Sequence, residues 1–207
     1  MSGKFVVVEG LEGAGKSTAI SIIRACIEKR GSQVVCTREP GGTPMAEAIR
    51  DCVKSEWPTE KVTSEAELLL MYAARSQLIE NVIKPHLAEG VWVIGDRHDM
   101  SSRAYQGYGH QLGVERIEPI RQFTLNGFEP DLTLYLDVDQ TVGIERARGR
   151  GKLDRIEQQD MSFFERARKG FLDMTQQDSR CRVVDAMQPM KKVHQDIESC
   201  INQFMEQ

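Results

Sequence analysis

Nine consecutive residues, Gly10-Leu11-Glu12-Gly13-Ala14-Gly15-Lys16-Ser17-Thr18, carry the spacing G-x-x-x-x-G-K-[S/T]. Glycines open backbone geometries closed to other residues, so successive N–H groups can converge on one anion. A helix beginning at this point adds the partial positive charge of its N-terminus. Lys16 is then expected to reach the β- and γ-phosphates of a nucleoside triphosphate, with the Ser17 hydroxyl on Mg²⁺. Taken alone, the spacing also fits a glycine-rich turn without a ligand. The apolar run before it and the helix-period stretch after it favour the phosphate reading. Binding a triphosphate is not yet a reaction. A regulatory GTPase needs Asn-Lys-x-Asp and Asp-x-x-Gly, and the chain contains neither. A kinase acting on a small acceptor fits better.

Three more constellations could handle a second anion. Thr37-Arg38-Glu39-Pro40-Gly41-Gly42-Thr43 follows a second strand-like run. Asp96-Arg97-His98-Asp99-Met100-Ser101-Ser102-Arg103-Ala104-Tyr105-Gln106-Gly107 follows a third. Asp154-Arg155-Ile156-Glu157 closes a charge-dense stretch, 145–157, broken by Gly149 and Gly151. By itself such a stretch reads as a solvated helix end; facing two polyanions, it becomes a source of guanidinium groups.

Hydrophobic periodicity supplies the elements that must position these residues. Strand-like runs occur at Phe5–Glu9, Gln33–Thr37, Val91–Ile94, Leu132–Asp137 and Cys181–Asp185. All but the second and last are apolar on both faces, as parallel strands covered by helices must be. Amphipathic stretches near 16–30, 44–54, 64–89, 113–127, 140–149 and 161–178, and one after Pro189, predict helices. Ser64 with Glu67 and Ser162 with Glu165 have capping-box spacing, and Pro189 suits the first turn of the last helix. The alternation predicts an α/β fold in three layers, a five-stranded parallel sheet flanked by helices. In an open sheet of this kind, ligands bind beyond the carboxyl ends of the strands. No repeat or linker interrupts the 207 residues, so one domain, 1–207, is expected.

Bulk composition narrows the partners. A net charge of −4 offers no extended basic surface, so nucleic acid is not expected. The five cysteines are scattered with no Cys-x-x-Cys pair, which argues for reduced thiols and against a disulfide framework or zinc site. The first residues lead straight into a strand, and no apolar run approaches the ~20 residues of a membrane span. A cytoplasmic protein without a membrane partner is expected.

The glycine-rich loop, Arg38-Glu39-Pro40-Gly41-Gly42 and Asp96-Arg97-His98 with Ala104-Tyr105-Gln106-Gly107 together resemble thymidylate kinase, in particular the bacterial kind, nearly end to end. The resemblance implies a P-loop NTPase fold, ATP and Mg²⁺, and transfer of the γ-phosphoryl group to dTMP, giving dTDP and ADP. It also implies a homodimer. A kinase for another nucleoside monophosphate or for a deoxynucleoside is the remaining alternative. By the same resemblance, Arg97 grips the acceptor phosphate, where a guanidinium fork suits phosphate oxygens; a structural pairing with Asp96 is its other reading. Arg50 reaches toward the monophosphate from beyond the loop holding Arg38 and Pro40, and a cis bond can precede Pro40. Arg75 matches a residue bonding a thymine carbonyl, Ser102 and Gln106 match positions at the pyrimidine edge next to Ser101, and Tyr105 matches one beneath the deoxyribose. Met71 stands where many relatives place a Phe that stacks on the base; a thioether can also lie against a ring.

The family divides over the arginine that neutralises the transferred phosphoryl group. One kind carries it within the glycine-rich loop, where this chain has Leu11, Glu12, Gly13 and Ala14. The charge must then come from the lid, 145–157, with Arg150 expected at the transition state and Arg148 and Arg155 beside ATP. Lys16, Arg97 and Arg150 are the expected catalytic groups. Glu12 is expected to bond the sugar hydroxyl or a magnesium-bound water, and Asp154 and Glu157 to close the lid over the monophosphate.

Overall fold

A computed structural model describes residues 3–149, 151 and 153–206. Along the chain lie β1 (Phe5–Gly10), α1 (Lys16–Lys29), β2 (Val34–Arg38), α2 (Pro44–Lys54), α3 (Ser64–Leu78), α4 (Lys84–Ala88), β3 (Trp92–Asp96) and α5 (Asp99–Ser102). They continue with α6 (Val114–Leu125), β4 (Leu132–Asp137), α7 (Gln140–Arg148), α8 (Met161–Thr175), β5 (Cys181–Asp185) and α9 (Met190–Met205). Two π-helical segments, Ile79–Ile83 and Arg103–Gly109, prolong α3 and α5.

Among the described residues, five strands form one parallel sheet in the order β2-β3-β1-β4-β5. The alternation of side chains anchors β1 on both faces. Val6 and Val8 join Ile23, Ile27, Phe171 and Ile197 on one side. Phe5 and Val7 join Leu78, Ile79, Ile83 and Leu125 on the other. At about 1.5–3 kcal/mol for each fully buried side chain of this size, β1 is a rigid mount for the loop that leaves it. The edge strands β2 and β5 are only partly covered, each leaving residues exposed, which is why their sequences are less apolar. From β1 the chain passes to β2 and back to β3 on one side, then crosses to β4 and β5 on the other. That reversal opens a crevice at the strands' carboxyl ends.

Several boundaries differ from expectation for local reasons. The helix predicted over 64–89 is α3, a π segment and α4; Pro85 lacks an N–H and crowds the preceding turn, and the wider Ile79–Ile83 turn accommodates it. Neither capping box forms. Thr63 caps α3 by accepting from Ala66 N–H (3.2 Å), and Asp160 caps α8 by accepting from Phe163 N–H (2.8 Å), because each lies a residue or two upstream of the expected serine. Pro189 is the capping residue of α9, one position before its first turn. The stretch after β3, where periodicity predicted no element, is helical as α5 and Arg103–Gly109. No described helix is long and apolar enough to cross a membrane.

Candidate active site

At the end of β1 the chain turns through Gly13 and Gly15, both at positive φ. A Cβ on Gly13 would stand 2.1 Å from the Gly143 carbonyl oxygen, so only glycine lets the loop pack this closely on α7. Gly15 precedes α1 without a side-chain capping bond, whereas Thr43, Thr63, Asp139 and Asp160 cap α2, α3, α7 and α8. The first N–H groups of α1 are thereby left for an anion. Glu12, Gly13, Gly15, Lys16, Ser17 and Thr18 line a cavity of about 670 Å³. Leu11 and Ala14 turn into the core instead, so these two and Gly10 contribute main chain. The Lys16 ammonium donates to the carbonyls of Gly10 (3.2 Å) and Leu11 (3.1 Å). Desolvation, then the nearby Arg97 charge, lowers its pKa to about 8.

By sequence, Asp96 is only a possible partner for Arg97. It ends β3 opposite Val8 of β1, lines the cavity, and leaves Oδ1 buried without a hydrogen-bond partner. A carboxylate closing the strand beside the phosphate loop was the overlooked signal. The Ser17 hydroxyl and Asp96 carboxylate are hard oxygen donors of the kind Mg²⁺ takes alongside phosphate and water. The residues therefore fit the ion.

Arg97 takes φ +73° and directs its guanidinium between the glycine-rich loop and α5. It donates to Glu12 (2.7 Å), the Gly10 carbonyl (3.0 Å), the Ser101 hydroxyl (3.0 Å) and the Tyr105 hydroxyl (3.3 Å). Among the described residues its ion pair is thus with Glu12 and not with Asp96. Tyr105 donates to the other oxygen of Glu12 (2.8 Å), so that carboxylate holds both Arg97 and Tyr105. Buried Glu9, another residue the sequence did not single out, accepts from His98 N–H (2.8 Å) and from the Ser101 hydroxyl (2.6 Å). Burial raises its pKa, partly countered by Arg97. The Ser101 hydroxyl thus bridges Glu9 and Arg97.

Deeper in the cavity, Arg75 is almost fully buried and donates to Glu39 (2.7 Å), the Ser102 hydroxyl (2.9 Å) and the His98 carbonyl (3.1 Å). Burial pushes the Glu39 carboxyl up, but Arg75 and His98 more than offset this and hold it below the usual range. Neither Glu39 nor His98 was expected in the site. Arg75 Nη1 and Gln106 Oε1 are buried with no hydrogen-bond partner, and both residues line the cavity. Met71 lines it too, whereas the adjacent Tyr72 points into the core and donates to Asp99 (2.7 Å). At the mouth, Arg50 donates to the Pro40 carbonyl (2.8 Å) and Arg38 to Glu47 (2.9 Å). The Glu39–Pro40 bond is cis.

The segment between α7 and α8 forms the remaining wall through Gly151, Asp154, Ile156 and Glu157. Arg150 lies outside the described residues. Arg148 is exposed in the last turn of α7 and does not line the cavity; Arg146 does, donating toward the Gly13 carbonyl (3.5 Å). Its place in a charge run concealed this. Arg155 departs from its expected position beside ATP: its guanidinium donates to Glu67 and to the Val53 carbonyl, on the acceptor side. The buried Glu67 carboxylate attracts it there. Asp154 pairs with Lys54 of α2 (2.7 Å), tying this segment down over the acceptor chamber.

A main-chain phosphate cradle on a parallel sheet, opening into an arginine-lined second chamber, defines a P-loop phosphotransferase. The family model for thymidylate kinase matches residues 8–197. The chain is 58% identical over its whole length to thymidylate kinase of Alteromonas mediterranea, covering 93% of that protein. It is 55% identical to thymidylate kinase of Idiomarina loihiensis (99% of this chain, 100% of that one), and 57% to that of Shewanella amazonensis (97% and 96%). The chain belongs to the thymidylate kinase family.

Proposed function

We infer that this protein is a kinase transferring the γ-phosphoryl group of ATP to the phosphate of dTMP, giving dTDP and ADP. The observation that carries the choice of base is a buried Arg75 donor that makes no hydrogen bond, its nearest carboxylate being Asp99 at 3.9 Å, together with a buried Gln106 acceptor that receives none. Thymine presents a carbonyl oxygen beside a ring N–H and answers both. Cytosine presents an amino group beside a bare ring nitrogen and would leave both unmet, a mismatch that costs orders of magnitude in selectivity.

The chemistry requires two anions held in line with their charge neutralised. Main-chain N–H groups and Lys16 hold the β- and γ-phosphates; Arg97, steadied by Glu12 and Ser101, grips the acceptor phosphate, and Arg50 approaches it from the other side. An ionised phosphate is already a nucleophile near neutral pH, so no general base is needed. Mg²⁺ held by Ser17 and Asp96 would supply further neutralisation of phosphate oxygens. Arg150 completes the transition state, Arg146 serves at the triphosphate, and Arg148 is available from α7. Tyr105 lies beneath the deoxyribose, and Met71 covers the base.

The same reading takes 1–207 as one domain, located in the cytoplasm, where its five free cysteines stay reduced. It also takes the chain as a homodimer: Leu69 on α3, which lines the cavity, and Phe123 on α6, packed against α3, are large apolar side chains left 57% and 90% exposed. Sedimentation should give twice the 23.4 kDa chain mass. A coupled assay with ATP and a panel of monophosphates tests the function. dTMP should lead, deoxyuridylate trail and purine nucleotides fail; another monophosphate turned over faster than dTMP would overturn the assignment.

A further inference from the structure

Glu67 of α3 is 1% exposed, and three donors from separate parts of the chain converge on it. Gln106 Nε2 lies 2.7 Å and His110 Nε2 3.2 Å from Oε1, while Arg155 donates to Oε2. Burial would push its pKa up, but the bonds from His110 and Arg155 more than offset that and hold it at about 2. An ionised carboxylate accepts hydrogen bonds and cannot donate them. Gln106 must therefore present its NH₂ to Glu67, which leaves Oε1 as the atom without a partner. Without such a neighbour, a glutamine amide can turn end for end, keeping its shape while exchanging acceptor for donor.

We propose that Glu67 is a positioning residue for base selectivity: by accepting from the Gln106 amide it keeps an acceptor available to the base, and by accepting from Arg155 it ties the Asp154-Arg155-Ile156-Glu157 stretch to the same lock. The proposal rests on the dTMP reading and adds to it the reason that a flippable side chain reads one polarity. Glu67 need touch neither nucleotide.

The test compares Glu67→Gln with the wild-type protein on dTMP and dCMP. Glutamine keeps the shape but can donate as well as accept, so both orientations of Gln106 become accessible. The preference for dTMP over dCMP should fall by about tenfold or more, given the usual effect of one mispaired buried group, while KM for ATP stays within about twofold of wild type. If turnover of both pyrimidines falls together and the ratio holds, Glu67 is merely structural and the proposal fails. Glu67→Asp retains a group that only accepts, and should keep the ratio within about threefold of wild type even at reduced turnover. A collapsed ratio in that variant overturns the proposal even when the Gln variant does not fold. Failure of wild-type protein to phosphorylate dTMP would instead remove the underlying assignment.

Discussion

The two ends of the cavity hold anions by different means. At the triphosphate end, nine consecutive residues offer main-chain N–H groups and one ammonium that, among the described residues, bonds to carbonyls of its own loop. At the acceptor end, Arg75, Glu39, Ser102, Gln106 and Glu67 come from three separated stretches of chain and pair with one another below the surface. Groups at the first end serve the ligand with little part in the fold. Groups at the second do both, because a buried charge deprived of its partner is costly whether or not substrate is present.

Substitutions should separate these behaviours, and the largest effect belongs to the triphosphate end. Lys16→Ala should abolish turnover while the melting temperature stays within a few degrees of wild type; substantial residual activity would break the phosphate-loop assignment. Arg150→Ala should lower turnover by about 10³–10⁵, the range for arginines delivered in related phosphoryl transfers, with ATP affinity kept. Near-normal turnover would place the neutralising charge on Arg146 instead. At the acceptor end, Arg75→Met should lose dTMP selectivity and also destabilise the protein by about 3–5 kcal/mol in urea unfolding, since it strands Glu39. Unchanged stability there would erase the contrast between the two ends.

Two smaller effects sharpen it. Lys16 has a lowered pKa in the free protein, and bound phosphates must raise it, so binding ATP takes up a proton above pH 8. Titrations should show ATP affinity level below about pH 8 and falling above it, by at most about tenfold per pH unit; Lys16→Arg should remove the inflection. Lys54→Ala breaks a partly exposed pair with Asp154, worth about 0.2–1 kcal/mol. KM for dTMP should rise no more than a few fold, and a larger rise would give this segment more of the acceptor grip than its contacts suggest.

Legibility follows the same division. The phosphate loop could be read because its function depends on φ angles and main-chain groups, which glycine spacing specifies over nine adjacent residues. The sheet could be read because strands covered on both faces must be apolar on both. Local rules failed where a side chain had two possible uses. Glu67 stands at the right distance from Ser64 for a capping box, yet the fold brings Gln106, His110 and Arg155 around it. Arg146, Arg148 and Arg155 have similar surroundings in sequence, but only Arg146 of the three lines the cavity.

Sequence by itself determined the alternation of strands and helices, the phosphate cradle and the set of charged residues available for catalysis, because each follows from patterns a few residues long. The tertiary structure alone decided which charges pair, which arginine wall faces the cavity, and which polar atoms remain unpaired for a base. Those outcomes depend on burial and on angstrom-scale distances between residues far apart in the chain, such as Arg155 and Glu67, which no local pattern encodes.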